Sequence, residues 1–188
     1  YAAGNHTVAG ATRSNANGVD LNRNFPDAED GIHPDGKDWQ QETKLFMKLA
    51  GENRFVLSAN FHGGAELVNY PWDTWQKLPA DDKWWYFIGR EWADTIHLYA
   101  PPEYFNAFHD GVTNGYTWYS ISGGRQDYMN YFHRCREFTL EVTNEYVPPS
   151  EKLDTFWEYQ HKSMINYLKQ ATFGIQGTIT DKETGHPI

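Results

Sequence analysis

Two short runs of strict apolar alternation are set among stretches of helical periodicity, and that interleaving is what most restricts the fold. Arg54–Phe61 (RFVLSANF) places Phe55, Leu57, Ala59 and Phe61 on one face, with Val56, Ser58, Asn60 and then His62 on the other. Glu137–Thr143 (EFTLEVT) alternates Phe138, Leu140 and Val142 against Thr139 and Glu141. Both read as strands. Trp39–Ala50 reads as a helix with Leu45, Phe46 and Leu49 on one face and Gly51 as its stop. Asp81–Tyr99 reads as an aromatic-rich helix closed by Pro101-Pro102, and Ser150 suits the cap of a long helix running to about Ala171. Residues 1–38 and 103–136 read as loops and turns. Strands and helices mixed in this way predict an α/β architecture. The last stretch, FGIQGTITDKETGHPI (173–188), turns to Gly-punctuated alternation and predicts the first strand of a separate β-domain.

Charge and composition exclude several functions. Lys and Arg total 16 against 25 Asp and Glu, a formal net charge of −9. Counterion release on a phosphate backbone needs clustered basic residues, so nucleic acid is not an expected partner. No apolar run approaches the ~20 residues of a membrane-spanning helix. Cys135 is the single cysteine and has no internal disulfide partner, which leaves the compartment open. The opening YAAGNHTVAG has neither an initiator Met nor the basic and apolar stretches of a signal peptide, and reads as a start in the middle of something longer.

A few residues are placed where chemistry happens. His62 ends a strand and is followed by Gly63-Gly64, where ligands gather in α/β sheets and backbones allow close approach. It suits a metal ligand or a hydrogen-bonded histidine in a turn. Asn22-Arg23-Asn24 sets a guanidinium between two amides, which suits a bound carboxylate or a buried tie between loops. Glu141 interrupts an apolar strand, so it is paired, on a solvated face, or kept for catalysis with a raised pKa. Tyr116–Tyr131 is a Gly-centred, Tyr-rich loop that closes over a ligand or simply packs.

Taken together, NANGVDLNRNFPD (Asn15–Asp27), VLSANFHGGAELVNYPWD (Val56–Asp73), GVTNGYTWYSISGGRQDY (Gly111–Tyr128) and EFTLEVT resemble the zinc metallocarboxypeptidases. The likeness is to the regulatory branch, that of carboxypeptidases N, E, D and M, and it covers nearly the whole chain in order. It implies a mixed, mostly parallel, eight-stranded sheet flanked by helices. It assigns residues 1–172 to the C-terminal portion of a catalytic domain and 173–188 to the start of a transthyretin-like β-sandwich. It implies a Zn2+ ion with His62 as the last of three ligands, and a zinc-bound water with Glu141 as general base and then acid. Arg13 would steady the oxyanion, Asn22 and Arg23 would grip the substrate's terminal carboxylate, and Tyr119 would close over it. Asp73 and Gln126 would form a side-chain pocket favouring C-terminal Lys or Arg, with Arg125 offsetting part of its charge. Partners would be peptide or protein C-termini, and the location secreted or periplasmic.

One departure stands out. The family's first two zinc ligands lie in a His-x-x-Glu motif upstream of the arginine matched by Arg13, and no such motif occurs here; His6, His33 and His109 lack a helpful spacing. The expectation is that the N-terminal part of the catalytic domain lies outside this sequence and that this chain alone is not a competent enzyme. A catalytically inactive relative that binds peptide C-termini or another protein is the alternative.

Overall fold

A computed structural model describes residues 11–174 and 177–188. Its centre is a four-stranded mixed sheet: β1 (Leu57–His62), β2 (Ala65–Tyr70), β3 (Val112–Asn114) and β4 (Arg136–Thr143), in the order β1-β4-β2-β3. β4 runs parallel to β1 and antiparallel to β2, and β2 runs parallel to β3. The helices are α1 (Gln41–Glu52), α2 (Asp82–His97), α3 (Ala107–Gly111), α4 (Gly115–Trp118), α5 (Arg125–His133) and α6 (Leu153–Lys169). A 3-10 turn at Leu21–Arg23 precedes them.

β1 and β2 are consecutive, yet they flank β4 rather than pair with each other. The two glycines between them therefore cross over the end of β4. Gly64 adopts φ +125° and donates its N–H to the Thr143 carbonyl at 2.7 Å. A Cβ on Gly63 would stand 2.7 Å from the Glu145 carbonyl oxygen, so only a bare backbone fits this crossing. The crossing fixes the register that sets His62 opposite Glu141.

Alternation then divides the sheet into two chemically different faces. Val68, Tyr70, Phe138 and Leu140 join Trp85, Ile88, Trp92, Ala93 and Ile96 of α2 and Tyr167 of α6 in the main core. A buried relay tightens this side: Trp92 donates to Gln160, Gln160 to the Tyr104 hydroxyl, and Tyr104 to the Val142 carbonyl. On the opposite face, Asn60, Thr139, Asn69 and Thr113 stand in register across all four strands, and all are buried. A second core of Phe25, Ala50, Tyr128, Met129 and Cys135 packs α1 and α5 on that side.

The strands and helices read at 54–61, 81–99, 137–143 and 150–171 correspond to β1, α2, β4 and α6. Other readings need correction. Residues 103–136 are not mainly turns, for they carry α3, β3, α4 and α5. Gly51 does not stop α1, which runs on to Glu52. Leu45 and Leu49 are exposed, and the inward face of α1 is Thr43, Phe46, Met47 and Ala50. Thr43 selects that face because its hydroxyl donates to Asn24 Oδ1 at 2.8 Å. Beyond residue 176 the described chain shows a bridge between Thr180 and Pro187 around a turn. Residues 175–176, within the expected first strand of the β-domain, and His6 lie outside the described residues.

The crossing makes a contrast that urea denaturation reads directly. Gly63→Ala is expected to destabilise by about 1–3 kcal/mol, because neither backbone at the clash can yield cheaply. Gly51→Ala, with nothing within 4 Å of the added carbon, is expected to stabilise by up to ~1 kcal/mol through helix propensity.

Candidate active site

The polar face of the sheet forms the floor of a cavity of about 640 Å³. Arg13, Asn22, Arg23, His62, Asp73, Tyr119 and Glu141 all line it, together with Asn69 and Trp118. Gln126 does not reach the cavity. It lies beneath Asp73, 1% exposed, donating to Asp73 Oδ1 at 3.2 Å and accepting the Thr139 N–H at 2.6 Å.

His62 and Glu141 are neighbours because β1 and β4 run parallel in that register. Burial, then the charges of Arg13 and Arg125, lower the His62 pKa to about 4, so its imidazole is neutral at physiological pH. That is the form that binds a metal. Glu141 is 7% exposed, which excludes the solvated-face reading. Burial raises its pKa to about 7, with Arg13 opposing and Asp73 reinforcing. Its Oε2 is buried and has no hydrogen-bond partner among the described residues. A buried carboxylate oxygen left unpaired is costly, and is found where a proton must be taken up or handed on.

The N-terminal loops supply the cationic wall. Arg13 Nε is held by Asp20 Oδ2 at 3.0 Å. Asp20 Oδ1 caps the 3-10 turn by accepting the Asn22 N–H. Asn22 Oδ1 accepts the Arg125 N–H at 2.9 Å, which fixes the amide so that Nδ2 is its remaining donor. Arg23 Nη1 donates to the Asn22 carbonyl at 2.7 Å. Two basic side chains and one amide donor thus meet at the cavity wall. Tyr119 follows α4, half exposed, with its ring edge-on to Trp118 at 4.8 Å.

The acidic end of the cavity is Asp73, 3% exposed, whose Oδ1 accepts from Asn69 Nδ2 at 3.0 Å as well as from Gln126. Burial pushes Asp73 up to about 6, against the Asn69 hydrogen bond and the Arg23 charge. Arg125 does not offset this pocket's charge, contrary to expectation. Its guanidinium turns the other way, bonding both oxygens of the fully buried Glu137 at 2.9 and 3.1 Å and lying over the Phe46 ring. Asn69 was not singled out from the sequence. Its Oδ1 is buried beside Asp73 without a partner among the described residues, and its signal was the polar position at the end of LVNY.

The donor set fits zinc only in part. His62 is neutral, partly buried and beside a base, but it is one donor where catalytic zinc sites use three protein ligands. Among the described residues no group of three or more His, Cys, Asp or Glu could hold a metal ion. His33 packs against Trp39. A metal at His62 needs donors in addition to those described.

Comparison with known proteins agrees with this geometry. Residues 1–163 match the family model described as zinc carboxypeptidase. The chain is 36% identical to carboxypeptidase SOL1 of Arabidopsis thaliana, over 94% of this chain and 37% of that protein. It is 36% identical to the human carboxypeptidase N catalytic chain, over 90% of this chain and 43% of that one. Human carboxypeptidase D is 33% identical, with 92% of this chain and 14% of that protein covered. Among solved structures, carboxypeptidase A from Helicoverpa armigera superposes with a TM-score of 0.68 at 20% identity, covering 82% of this chain and 42% of that one. The chain spans less than half the length of each of these relatives. With its mixed sheet flanked by helices, and with this match over most of its length, the chain belongs to the zinc carboxypeptidase family.

Proposed function

We propose that this chain carries the base and the substrate-recognition wall of a zinc-dependent exopeptidase that removes C-terminal residues, with a preference for Lys or Arg, from peptides or proteins. The observation that carries the reading is Glu141: a buried carboxylate with one unpartnered oxygen, in register with a neutral histidine on the cavity floor. A cavity evolved only to bind has no use for a group so placed, which favours the enzyme over an inactive binding module.

Zinc, when bound, supplies a Lewis acid and acidifies water; His62 would be one of its ligands. The chain's own residues would do the rest. Glu141 accepts a proton at Oε2 and returns it to the leaving amine. Arg13 faces the charge that develops on the carbonyl oxygen. Arg23 and the free Nδ2 of Asn22 hold the terminal carboxylate, and that grip restricts cleavage to chain ends. Tyr119 is exposed enough to swing over the bound end and exclude water. Asp73 pairs with the cationic side chain, Asn69 Oδ1 adds a second acceptor, and Gln126 anchors Asp73 to the β4 backbone. Residues 173–188 open a transthyretin-like sandwich, and the location is outside the cytosol, both on the strength of the resemblance.

Two outcomes test this. In the full-length protein, Glu141→Gln is expected to lower kcat on a peptide ending in Lys by about 10²–10⁴-fold, measured by release of free lysine. Unchanged turnover would remove Glu141 from the mechanism. The second outcome is read by unfolding with chelator present. The folded pKa of Glu141 lies above its ordinary value, so its folded form holds a proton that the unfolded chain releases, and stability falls as pH rises from about 4.5 through about 7. Glu141→Gln is therefore expected to be more stable than wild type at pH 8, by on the order of 1–3 kcal/mol, and to lose that advantage at pH 4.

A further inference from the structure

Asp127 has no part in the chemistry above, yet it is buried, 6% exposed, and sits directly behind Asp73. Its oxygens receive the Asp73 N–H at 3.1 and 2.9 Å, and Oδ2 also takes the Thr74 N–H at 2.9 Å. Its partners are backbone amides of the very segment that presents Asp73. The Asp73 carboxylate is seated against two bare glycine backbones: a Cβ on Gly115 would lie 1.8 Å from Oδ1, and one on Gly124 3.5 Å from Oδ2. Beside Asp73, the buried Oδ1 of Asn69 accepts no hydrogen bond among the described residues. Two carboxylates thus stand back to back in a site of low dielectric, with one end open to the cavity.

We propose that Asp127 is the positioning residue of this pocket: it fixes the Asp73–Thr74 backbone and so sets where the Asp73 carboxylate meets a cationic side chain. The proposal rests on the reading of Asp73 as partner of a basic C-terminal side chain. Asp73 is faced by Asp127 from α5, by Glu137 and Glu141 from β4, by Asp27 from the loop before α1, and by Arg23 from the 3-10 turn. Arg23 is the cation among them and lies on the cavity wall. Burial, opposed by the Asn69 bond and Arg23 and reinforced by Asp27 and Glu137, brings Asp73 up to about 6. Burial and then Asp73 itself raise Asp127 well above the usual range.

The test uses the full-length protein and two readouts. Calorimetry with agmatine, a guanidinium without a carboxylate, reads the pocket apart from catalysis. Steady-state kinetics on matched peptides ending in Arg or norleucine reads KM and kcat. Asp127→Asn is expected to weaken agmatine binding about 10-fold and to raise KM for the Arg peptide at least about five times more than for the norleucine peptide, with kcat little affected. Wild-type agmatine affinity is expected to fall as pH drops through about 6, where buried Asp73 takes up its proton. Unchanged agmatine affinity in a cooperatively melting Asp127→Asn, or equal losses on the two peptides, overturns the proposal. If that variant does not fold, Asp127→Glu decides: agmatine affinity and a ratio of the two KM values both equal to wild type in that variant overturn the proposal. Asp73→Asn separates the parent reading, which fails if that variant keeps both agmatine binding and the preference for Arg.

Discussion

Burying a set of carboxylates under one cavity is the constraint around which this chain is arranged. Glu137, Glu141, Asp73 and Asp127 each lose their hydration on folding, and each is compensated in a different currency. Glu137, with no exposed surface, has an ion pair with Arg125 and a hydrogen bond from Ser58. Asp127 has backbone N–H groups. Asp73 has two side-chain amides on one oxygen. Glu141 is the least compensated, with a buried oxygen that no donor among the described residues meets. The gradient runs from a carboxylate that is purely structural to one that keeps an unmet demand, and the unmet demand sits beside His62.

β4 makes that gradient possible, because it belongs to both faces of the sheet at once. Phe138 and Leu140 bind it to α2 and α6, while Glu137, Thr139 and Glu141 point to the other side. Its central place, between β1 and β2, depends on the crossing at Gly63-Gly64. The same crossing ends β1 at His62, so the strand order and the pairing of histidine with carboxylate are one geometric fact. α5 follows the same logic. Its first N–H fixes Asn22, Gln126 links Asp73 to Thr139, and Asp127 holds the loop behind Asp73.

The sequence made legible those elements whose two sides differ. β1 and β4 alternate, and α2 and α6 carry long apolar stripes, so their periodicities stand out. β2 was hidden because Leu67, Val68, Asn69 and Tyr70 are all buried and leave no alternation to read. α5 was hidden because its inward residues include Gln126 and Asp127, polar groups that the fold buries for the pocket's sake. The motifs located Arg13, Asn22, Arg23, His62, Asp73, Tyr119 and Glu141, and the fold brings these to one cavity. Spacing could not say which way Arg125 turns, nor that Gln126 lies beneath the pocket, since both depend on where α5 docks on β4. Asn69 escaped for a related reason: an Asn inside an apolar strand announces itself only when its oxygen is seen to lack a partner.

The two ends of the cavity are also joined by charge. Asp73 is one of the groups that raise the proton affinity of Glu141, and Arg13 is the group that lowers it. On the proposed reading, a basic side chain entering the pocket neutralises Asp73 and removes that contribution, so Glu141 releases its proton more readily just as substrate arrives. A neutral side chain displaces the same water without supplying the charge, and leaves Glu141 nearer its resting affinity. Recognition at Asp73 and proton transfer at Glu141 would then be coupled through the field across a rigid strand, with no movement of the backbone between them.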